Sequence, residues 1–149
     1  MIASALGFRL DPEPRTQHEI AVATRQIDTP VGPLDPGSVA AQRFTWQGTV
    51  AGRPVITART NWFMGEDGFD PPWRLCGERF EIAFDADPPL QATFHGLHPE
   101  RVGEGLDRNP GLLATAMHCV NAIPYVCAAP AGIRTYLDLP LITGRAARV

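Results

Sequence analysis

The sequence contains no lysine, and all 13 of its basic residues are arginine. This absence excludes a Schiff-base lysine as the reactive group of a covalent enzyme. Serine is almost as scarce, because Ser4 and Ser38 are its two instances and neither stands in a G-x-S-x-G context. Since that turn presents the nucleophile of the α/β-hydrolases, the sequence does not favour a serine hydrolase of this kind.

Glycine-rich phosphate-binding turns and metal-binding patterns are also missing. No G-x-G-x-x-G stretch occurs, so nothing in the chain predicts a dinucleotide site of its own. His95 and His98 stand three apart, but no third ligand has a convincing spacing, and we predict no metal site. The three cysteines are odd in number and form no C-x-x-C pair, which favours a reduced, cytoplasmic setting.

Charge and hydropathy narrow the class further. A net charge of -3 gives no electrostatic support for nucleic-acid binding. No uninterrupted apolar run approaches a membrane span, so we expect no membrane partner. With 149 residues, 44% of them hydrophobic and 19% charged, the chain is predicted to form one globular domain.

The first eight residues are typical of the end of a helix. Small and apolar residues lead to Gly7, which is suited to the left-handed conformation just past a helix C-terminus, and the large apolar Phe8 follows. So few residues do not make a helix that stands alone. Two interpretations stay open: a short N-terminal helical turn, or a helix that begins upstream in sequence that this chain lacks.

Alternating apolar and polar residues predict several strands. They cover residues 18–27, 38–50, 55–62, 80–84 and 90–95, and the strand at 80–84 is expected to be half-buried. The short segment 51–54 contains glycine and proline, so the strands on either side of it should form a hairpin. The segment 29–37, with three prolines and two glycines, is predicted to be a loop, and residues 134–142 an extended edge or connector.

One helix is clearly indicated. Asn109 is a good N-cap and Pro110 suits the first helical position, and apolar residues then recur at helical spacing. The helix should end near Ala122, because Pro124 disfavours helical geometry at Ile123. The elements together predict an α+β fold: a mixed, largely antiparallel sheet with one or two helices packed on one face.

Three segments in order resemble a known family. They are the stretch 37–46 (GSVAAQRFTW), the stretch 59–65 (RTNWFMG) with Trp73, and Asn109-Pro110 followed by the stretches 120–124 (VNAIP), 128–130 (AAP) and 139–140 (LP). The set resembles the C-terminal domain of the amine dehydrogenase and 2,4-diaminopentanoate dehydrogenase family, whose members are often described as dihydrodipicolinate reductase-like. The resemblance covers nearly the whole chain.

The resemblance implies a partial oxidoreductase. Residues 1–149 would form a single substrate-binding and dimerisation domain, and the N-terminal Rossmann domain that binds NAD or NADP is absent from this chain. The implied reaction interconverts a CH–NH2 group and a carbonyl, on a small amine, amino acid or carbonyl substrate, in a homo-oligomer. The family's catalytic glutamate lies outside this region, so no catalytic residue is assigned and the isolated chain is expected to be inactive. The dihydrodipicolinate reductase loop K-x-x-x-S-G-T needs a lysine, so that reaction is not favoured.

Polar residues on the predicted strand at 55–62 are candidate substrate ligands. Thr57, Arg59 and Asn61 stand two apart and therefore share a face. Arg59 could hold a carboxylate or carbonyl oxygen through its planar guanidinium, with Asn61 nearby. The alternative is an exposed hydrophilic face, which antiparallel sheets commonly show.

Gln42 is the candidate on the preceding strand. It shares parity with Phe44 and Trp46, whereas the adjacent Arg43 must face the other side. A glutamine among aromatic residues needs a hydrogen-bond partner, which either a ligand or the backbone would supply.

Further candidates come from the aromatic segment and the helix. Trp62 and Met64, with Phe63 and Trp73, could line an apolar substrate pocket or simply form hydrophobic core. His118 is a candidate substrate ligand or an exposed helix residue, and Asn121 and Ile123 would meet the nicotinamide end of a cofactor. Two other functions remain open: a non-enzymatic module for small-ligand binding or oligomerisation, and an independent small enzyme.

Overall fold

The computed structural model describes residues 1–29, 32–96 and 110–144. It contains two compact units, Met1–Cys76 and Gly77–Val149, which are treated separately below. The α+β class is confirmed, since strands joined by antiparallel pairing are combined with two helices among the described residues. The organisation of the whole chain as a single domain stays a prediction.

The first unit is built on a four-stranded antiparallel sheet with strand order β5-β4-β1-β6, beside a separate β2–β3 hairpin. Its elements are α1 (Ile2–Ala5), β1 (Arg15–Ala23), β2 (Ile27–Thr29), β3 (Gly32–Leu34), β4 (Val39–Val50), β5 (Arg53–Phe63) and β6 (Phe69–Asp70). The two long strands β4 and β5 form the predicted hairpin, so the sheet that carries most candidate residues has the expected connection.

The helix end at the N-terminus is confirmed. Gly7 has a φ of +74°, the left-handed conformation that closes a helix. The Phe8 amide donates to the Ala3 carbonyl at 2.8 Å, and the Gly7 amide donates to the Ser4 carbonyl at 3.2 Å. The last carbonyls of α1 are therefore satisfied by the residues that follow it.

A two-residue turn joins β4 to β5. Ala51 and Gly52 both have positive φ, +49° and +74°, as a tight hairpin turn requires. Asp11 holds this turn, because its Oδ2 accepts from the Thr49 hydroxyl at 2.7 Å and from the Gly52 amide at 2.9 Å, while Oδ1 accepts from Ala51 at 3.1 Å. The Gly52 amide, then the Thr49 hydroxyl, hold the pKa of the Asp11 carboxyl below its ordinary value of 3.8.

We expect Asp11→Asn to lower the Tm at neutral pH, because the neutral amide accepts the turn's N–H groups more weakly. A carboxyl with a lowered pKa stabilises the fold above its ordinary value of 3.8, and the contribution is lost as pH falls through the lower folded pKa. The Tm difference between the variant and the wild type should therefore stay constant near neutral pH and shrink as the pH falls below about 4. Asp67→Asn, in an exposed ion pair with Arg25, is the matched control and should change the Tm little. A pH-independent difference for Asp11→Asn would contradict this role.

Small residues form the centre of the first unit. Ala21 of β1, Ala41 of β4 and Phe63 of β5 stand directly opposite one another and mark what we call the core face of the sheet. The buried apolar residues are Ala21, Ala23, Ile27, Ala40, Ala41 and Phe69, with Leu34, Phe63, Trp73 and Leu75 packed against them. The other side of the same strands carries His18, Phe44, Trp46 and Trp62, and we call it the aromatic face.

Several boundaries differ from the prediction in this unit, among them the start of β1, which lies at Arg15 and not at His18. β1 ends at Ala23 and not at Ile27, because the Thr24 amide donates to the Gly68 carbonyl and the chain turns there. Part of the predicted loop 29–37 instead pairs as β2–β3, with Ile27 opposite Leu34. Burial of Ile27 in the core explains why this short hairpin forms in spite of its prolines.

The second unit contains the hairpin of β7 (Phe80–Phe84) and β8 (Leu90–Phe94) and the helix α2 (Pro110–Ala128). Both strands are confirmed, but the prediction that β7 is half-buried is wrong, since all five of its residues are exposed. Apolar residues are paired across the hairpin on one side, which we call the apolar hairpin face: Phe80 with Phe94, Ile82 with Ala92, and Phe84 with Leu90.

Helix α2 begins at Pro110 as predicted, and Asn109, its proposed cap, lies outside the described residues. The predicted end near Ala122 is wrong, because the helix continues through Pro124 to Ala128. Proline removes one intrahelical hydrogen bond and biases the preceding residue without forbidding the helix, so the flanking turns carry it on. No residue of α2 is buried, and the packing of a helix on one face of the sheet stays a prediction.

By length and composition, α2 is also long and apolar enough to cross a membrane. The expectation that no segment reaches this length was wrong in that respect. One such helix is weak evidence for a span, because core helices of soluble proteins meet the same criterion. The segment after the helix forms a turn at Thr135–Asp138, so the prediction that residues 134–142 are extended is wrong there, and their role as an edge or connector stays a prediction.

Candidate functional site

A cleft of about 380 Å³ opens where the start of β4 meets the end of β5. Three of the predicted substrate ligands line it, namely Gln42, Trp62 and Met64. Gln42 and Trp62 are direct cross-strand partners, and the Met64 amide donates to the Ala40 carbonyl at 2.8 Å. The remaining lining residues are Val39, Ala40, Ala41, Phe44 and Phe63. The volume lies within the range of small-ligand pockets, and seven of the eight lining residues are apolar, with Gln42 the polar one.

Aromatic rings continue from this cleft along the aromatic face. The His18 imidazole stacks on Phe44 with ring centroids 4.2 Å apart and planes 6° from parallel. Phe44 in turn lies 5.7 Å from Trp46 in a stacked arrangement. Trp62 is 68% exposed, which is unusual for so large an apolar side chain. An exposed, rigid aromatic surface beside a cleft is suited to binding a partly apolar ligand.

The hydrogen-bond partner that the structure gives the Gln42 side chain is another side chain and not the backbone. Its Oε1 lies 3.0 Å from Nε2 of His18, which stands on β1 beside Phe44. No local pattern singles out His18, because 24 positions separate it from Gln42 along the chain. The register of β1 on β4 would have been needed to find it.

Arg59 and Asn61 lie on the core face and so do not converge with Gln42. Their cross-strand partners on β4 are Thr45 and Arg43, whereas Gln42 faces Trp62 on the other side of the sheet. Asn61 Oδ1 accepts a hydrogen bond from Arg43 Nε at 2.9 Å, and Arg59 is exposed. Thr57, the third residue of the predicted set, accepts from Gln47 Nε2 at 3.2 Å.

Arg43 is the centre of a polar group on the core face that sequence reasoning missed. Its guanidinium carbon lies 4.4 Å above the ring of Trp73, and Nη1 is 3.7 Å from a carboxylate oxygen of Glu19. Trp73 itself packs edge-on against Phe69 at 6.2 Å. The aromatic cluster expected around residues 62–73 therefore divides, since Phe63 and Trp73 join the core and Trp62 and Met64 line the cleft.

The candidates in the second unit form two separate arrangements. His118 Nε2 is 2.8 Å from the hydroxyl of Tyr136, which ties the helix to the turn that follows it. Asn121 lines a smaller cleft of about 240 Å³ together with Val120, Pro124, Tyr125 and Thr143. Ile123, expected beside Asn121, is exposed and does not line that cleft.

Metal ligands do not cluster in the part of the chain that the structure describes, since no group of three His, Cys, Asp or Glu side chains could hold an ion there. His95 is exposed, and His98 lies outside the described residues. The three cysteines are exposed free thiols.

The chain is similar to parts of two amine dehydrogenases, one by sequence and one by structure. No established family profile matches the chain. An amine dehydrogenase of Streptomyces virginiae is 30% identical over 152 residues, which cover 95% of this chain and 39% of that protein. The structure of an amine dehydrogenase from Mycobacterium smegmatis superposes with a TM-score of 0.65 at 21% identity, over 97% of this chain and 37% of the other.

The described residues thus define a small α+β chain with an open cleft between the start of β4 and the end of β5. More particularly, the chain is a homologue of part of an amine dehydrogenase, and the resemblance that the sequence indicated is confirmed. The chain spans 39% of the length of its relative, as a C-terminal domain of a larger oxidoreductase would.

Proposed function

We propose that this chain is the substrate-binding and dimerisation domain of an NAD(P)-dependent oxidoreductase that interconverts a CH–NH2 group and a carbonyl. The observation that carries the proposal is the cleft of about 380 Å³, which gathers Gln42, Trp62 and Met64 in a chain related to amine dehydrogenases. Trp62 and Met64 would contact the apolar part of a small amine or carbonyl compound, and Gln42 its polar atom. Arg59, Asn61 and His118 lie outside this cleft, and their role in binding stays a prediction.

The described residues do not fit a whole dinucleotide. The sequence has no glycine-rich phosphate turn, and the cleft that contains Asn121 is about 240 Å³ with no cationic side chain in its lining. The cleft beside Asn121 has space for one end of a cofactor at most. Contact between Ile123 and the cofactor stays a prediction. NAD or NADP would therefore be held by a Rossmann domain that this sequence does not include, and we derive no step of the reaction through it.

Dimerisation would use exposed apolar surface. The apolar hairpin face presents Phe80, Ile82, Phe84, Leu90 and Phe94, each more than two fifths exposed. Such contiguous surface marks an interaction site. Sedimentation velocity of the purified chain should therefore show a self-associating species, and a monomer at all concentrations would refute this half of the proposal.

Binding in the cleft is tested on the 149-residue chain by NMR. Cyclohexanone should shift the indole N–H signal of Trp62, which lines the cleft, and leave that of Trp73 unchanged, because Trp73 packs on the opposite, core face. The same chain should not oxidise NAD(P)H with cyclohexanone and ammonia. Equal shifts at both indoles would contradict a specific site, and turnover above background would favour the independent enzyme.

The non-enzymatic alternative, a binding or oligomerisation module, makes a different prediction in the same assay. Such a module would bind without preferring amine or carbonyl compounds over hydrocarbons of the same size. We further propose a cytoplasmic location, on the basis of the free thiols, and no nucleic-acid partner, on the basis of the net charge of -3. The absence of a membrane partner stays a prediction from the sequence.

A further inference from the structure

We infer that His18 is a positioning residue of the cleft, which fixes the Gln42 amide so that its N–H groups face the ligand. The inference rests on the proposed substrate site, because it assigns Gln42 the role of donor to that ligand. It also predicts which of the two reaction partners, carbonyl or amine, the cleft favours.

The direction of the His18–Gln42 hydrogen bond follows from the atoms that form it. Oε1 of Gln42 faces Nε2 of His18 at 3.0 Å, and because an amide oxygen accepts and does not donate, this placement assigns the donor role to an Nε2–H tautomer of His18. Both hydrogens of the Gln42 amide nitrogen remain for other acceptors. Since Gln42 lines the cleft and is half-buried, these hydrogens are available to a molecule bound there.

The surroundings hold His18 in this role. Its ring lies flat on Phe44 at 4.2 Å, which restricts its rotation. Its neighbours on the same side of β1 are Thr16 and Ile20. Across the sheet His18 lies opposite Phe44 of β4, and Phe44 lies opposite Thr60 of β5. Within the described parts of β1, β4 and β5, the aromatic face carries no carboxylate that would compete with Gln42 for the imidazole N–H.

A Gln42 amide held in one orientation distinguishes a carbonyl ligand from an ammonium ligand. An unrestrained glutamine amide turns over and offers either its oxygen or its N–H groups, so it accepts donors and acceptors alike. Once His18 occupies the oxygen, the cleft presents N–H groups, which bind a carbonyl oxygen and repel the N–H groups of an ammonium. The positioned Gln42 therefore favours the carbonyl partner over the protonated amine.

The first test needs no ligand. In the 149-residue chain labelled with ¹⁵N-histidine, at a pH where the His18 ring is neutral, we expect its Nε2 to carry the proton. A ring protonated at Nδ1 instead would overturn the inference, because Gln42 would then have to donate to Nε2 and turn its oxygen to the cleft.

The second test measures binding through the Trp62 indole signal. We expect His18→Ala to weaken cyclohexanone binding about tenfold, the size of one lost hydrogen bond. His18→Gln should restore most of the affinity, because its amide can again donate to Oε1 of Gln42. Thr16→Ala is the matched control, because Thr16 lies two residues before His18 and on the same face of β1. This variant should bind as the wild type does. The preference for cyclohexanone over cyclohexylammonium should fall in His18→Ala and in no control.

The outcomes separate the inference from the proposed function. If the wild type binds cyclohexanone and His18→Ala binds it equally well, His18 does not position Gln42, although the substrate site stands. If cyclohexanone leaves Trp62 unshifted in the wild type, the proposed site is refuted and the role of His18 in binding is refuted with it. If His18→Ala fails to fold, the position of the proton on the His18 ring of the wild-type chain still decides the inference.

Discussion

Phe69→Ala is expected to lower the free energy of unfolding by about 3 kcal/mol, the cost of removing a large side chain from a core. Phe69 is 6% exposed and lies edge-on to Trp73 with ring centroids 6.2 Å apart. Most of its buried neighbours are alanines, which are too short to move into the space that a lost ring leaves. The cavity should therefore persist and not collapse. Urea denaturation followed by circular dichroism measures the difference.

Trp62→Ala is the matched control for this loss. Trp62 is larger than Phe69, yet it is 68% exposed, so its removal should change stability by no more than about 0.5 kcal/mol. Its effect should appear in ligand binding and in self-association. Equal destabilisation by the two substitutions would show that the aromatic face is covered in solution, and that the distinction between core face and aromatic face is wrong.

Alternation along the strands was enough to predict the β4–β5 hairpin and to separate Gln42 from Arg43. It could not decide which side of the sheet becomes core, because both sides carry large apolar residues. Trp62 and Phe63 are adjacent and equally hydrophobic in appearance, yet Phe63 packs on the core and Trp62 stands in the open. The difference depends on Phe69 and Trp73, which reach the core face through a loop whose path no local pattern predicts.

Whether Asn61 lies on the same face of the sheet as Gln42 depends on a shift of one residue in the pairing of β5 with β4. The predicted loop 51–54 would pair Val50 with Val55, and unbroken pairing would then place Asn61 opposite Phe44, on the side of Gln42. In the structure the turn has two residues, and an irregularity between Gly48 and Thr49 shifts the pairing by one. A shift of one residue moves every later side chain of the strand to the other face, so Asn61 meets Arg43 and Trp62 meets Gln42.

For the helix α2, the predicted start is right and the predicted end is wrong. Its start at Pro110 was readable because proline suits the first turn, where its missing N–H has no partner to lose. Its end was misplaced because Pro124 was treated as a stop, although proline only removes a hydrogen bond. Whether a helix continues past a proline depends on what stabilises the next turn, which the proline itself does not reveal. In the structure α2 runs on through Pro124 to Ala128.

Arg43→Ala is expected to destabilise the chain by about 2 kcal/mol, because it removes a charge-assisted hydrogen bond and a cation–π contact together. The side chain is 22% exposed, with Nε bound to Asn61 at 2.9 Å and the guanidinium 4.4 Å above Trp73. The contact with Glu19 at 3.7 Å should add little, since that carboxylate is solvated. Thermal and urea denaturation of the purified variants measure the loss.

Arg59→Ala and Arg43→Lys are the informative controls for that prediction. Arg59 lies on the same face two residues before Asn61 on β5 and is exposed, so its removal should cost no more than about 0.5 kcal/mol. Arg43→Lys keeps the positive charge but loses the planar group that stacks on Trp73, so its stability should fall between those of the wild type and Arg43→Ala. If Arg59→Ala were the more destabilising variant, Arg43 would not organise this face, and the assignment of Arg59 as a residue free to bind substrate would fail with it.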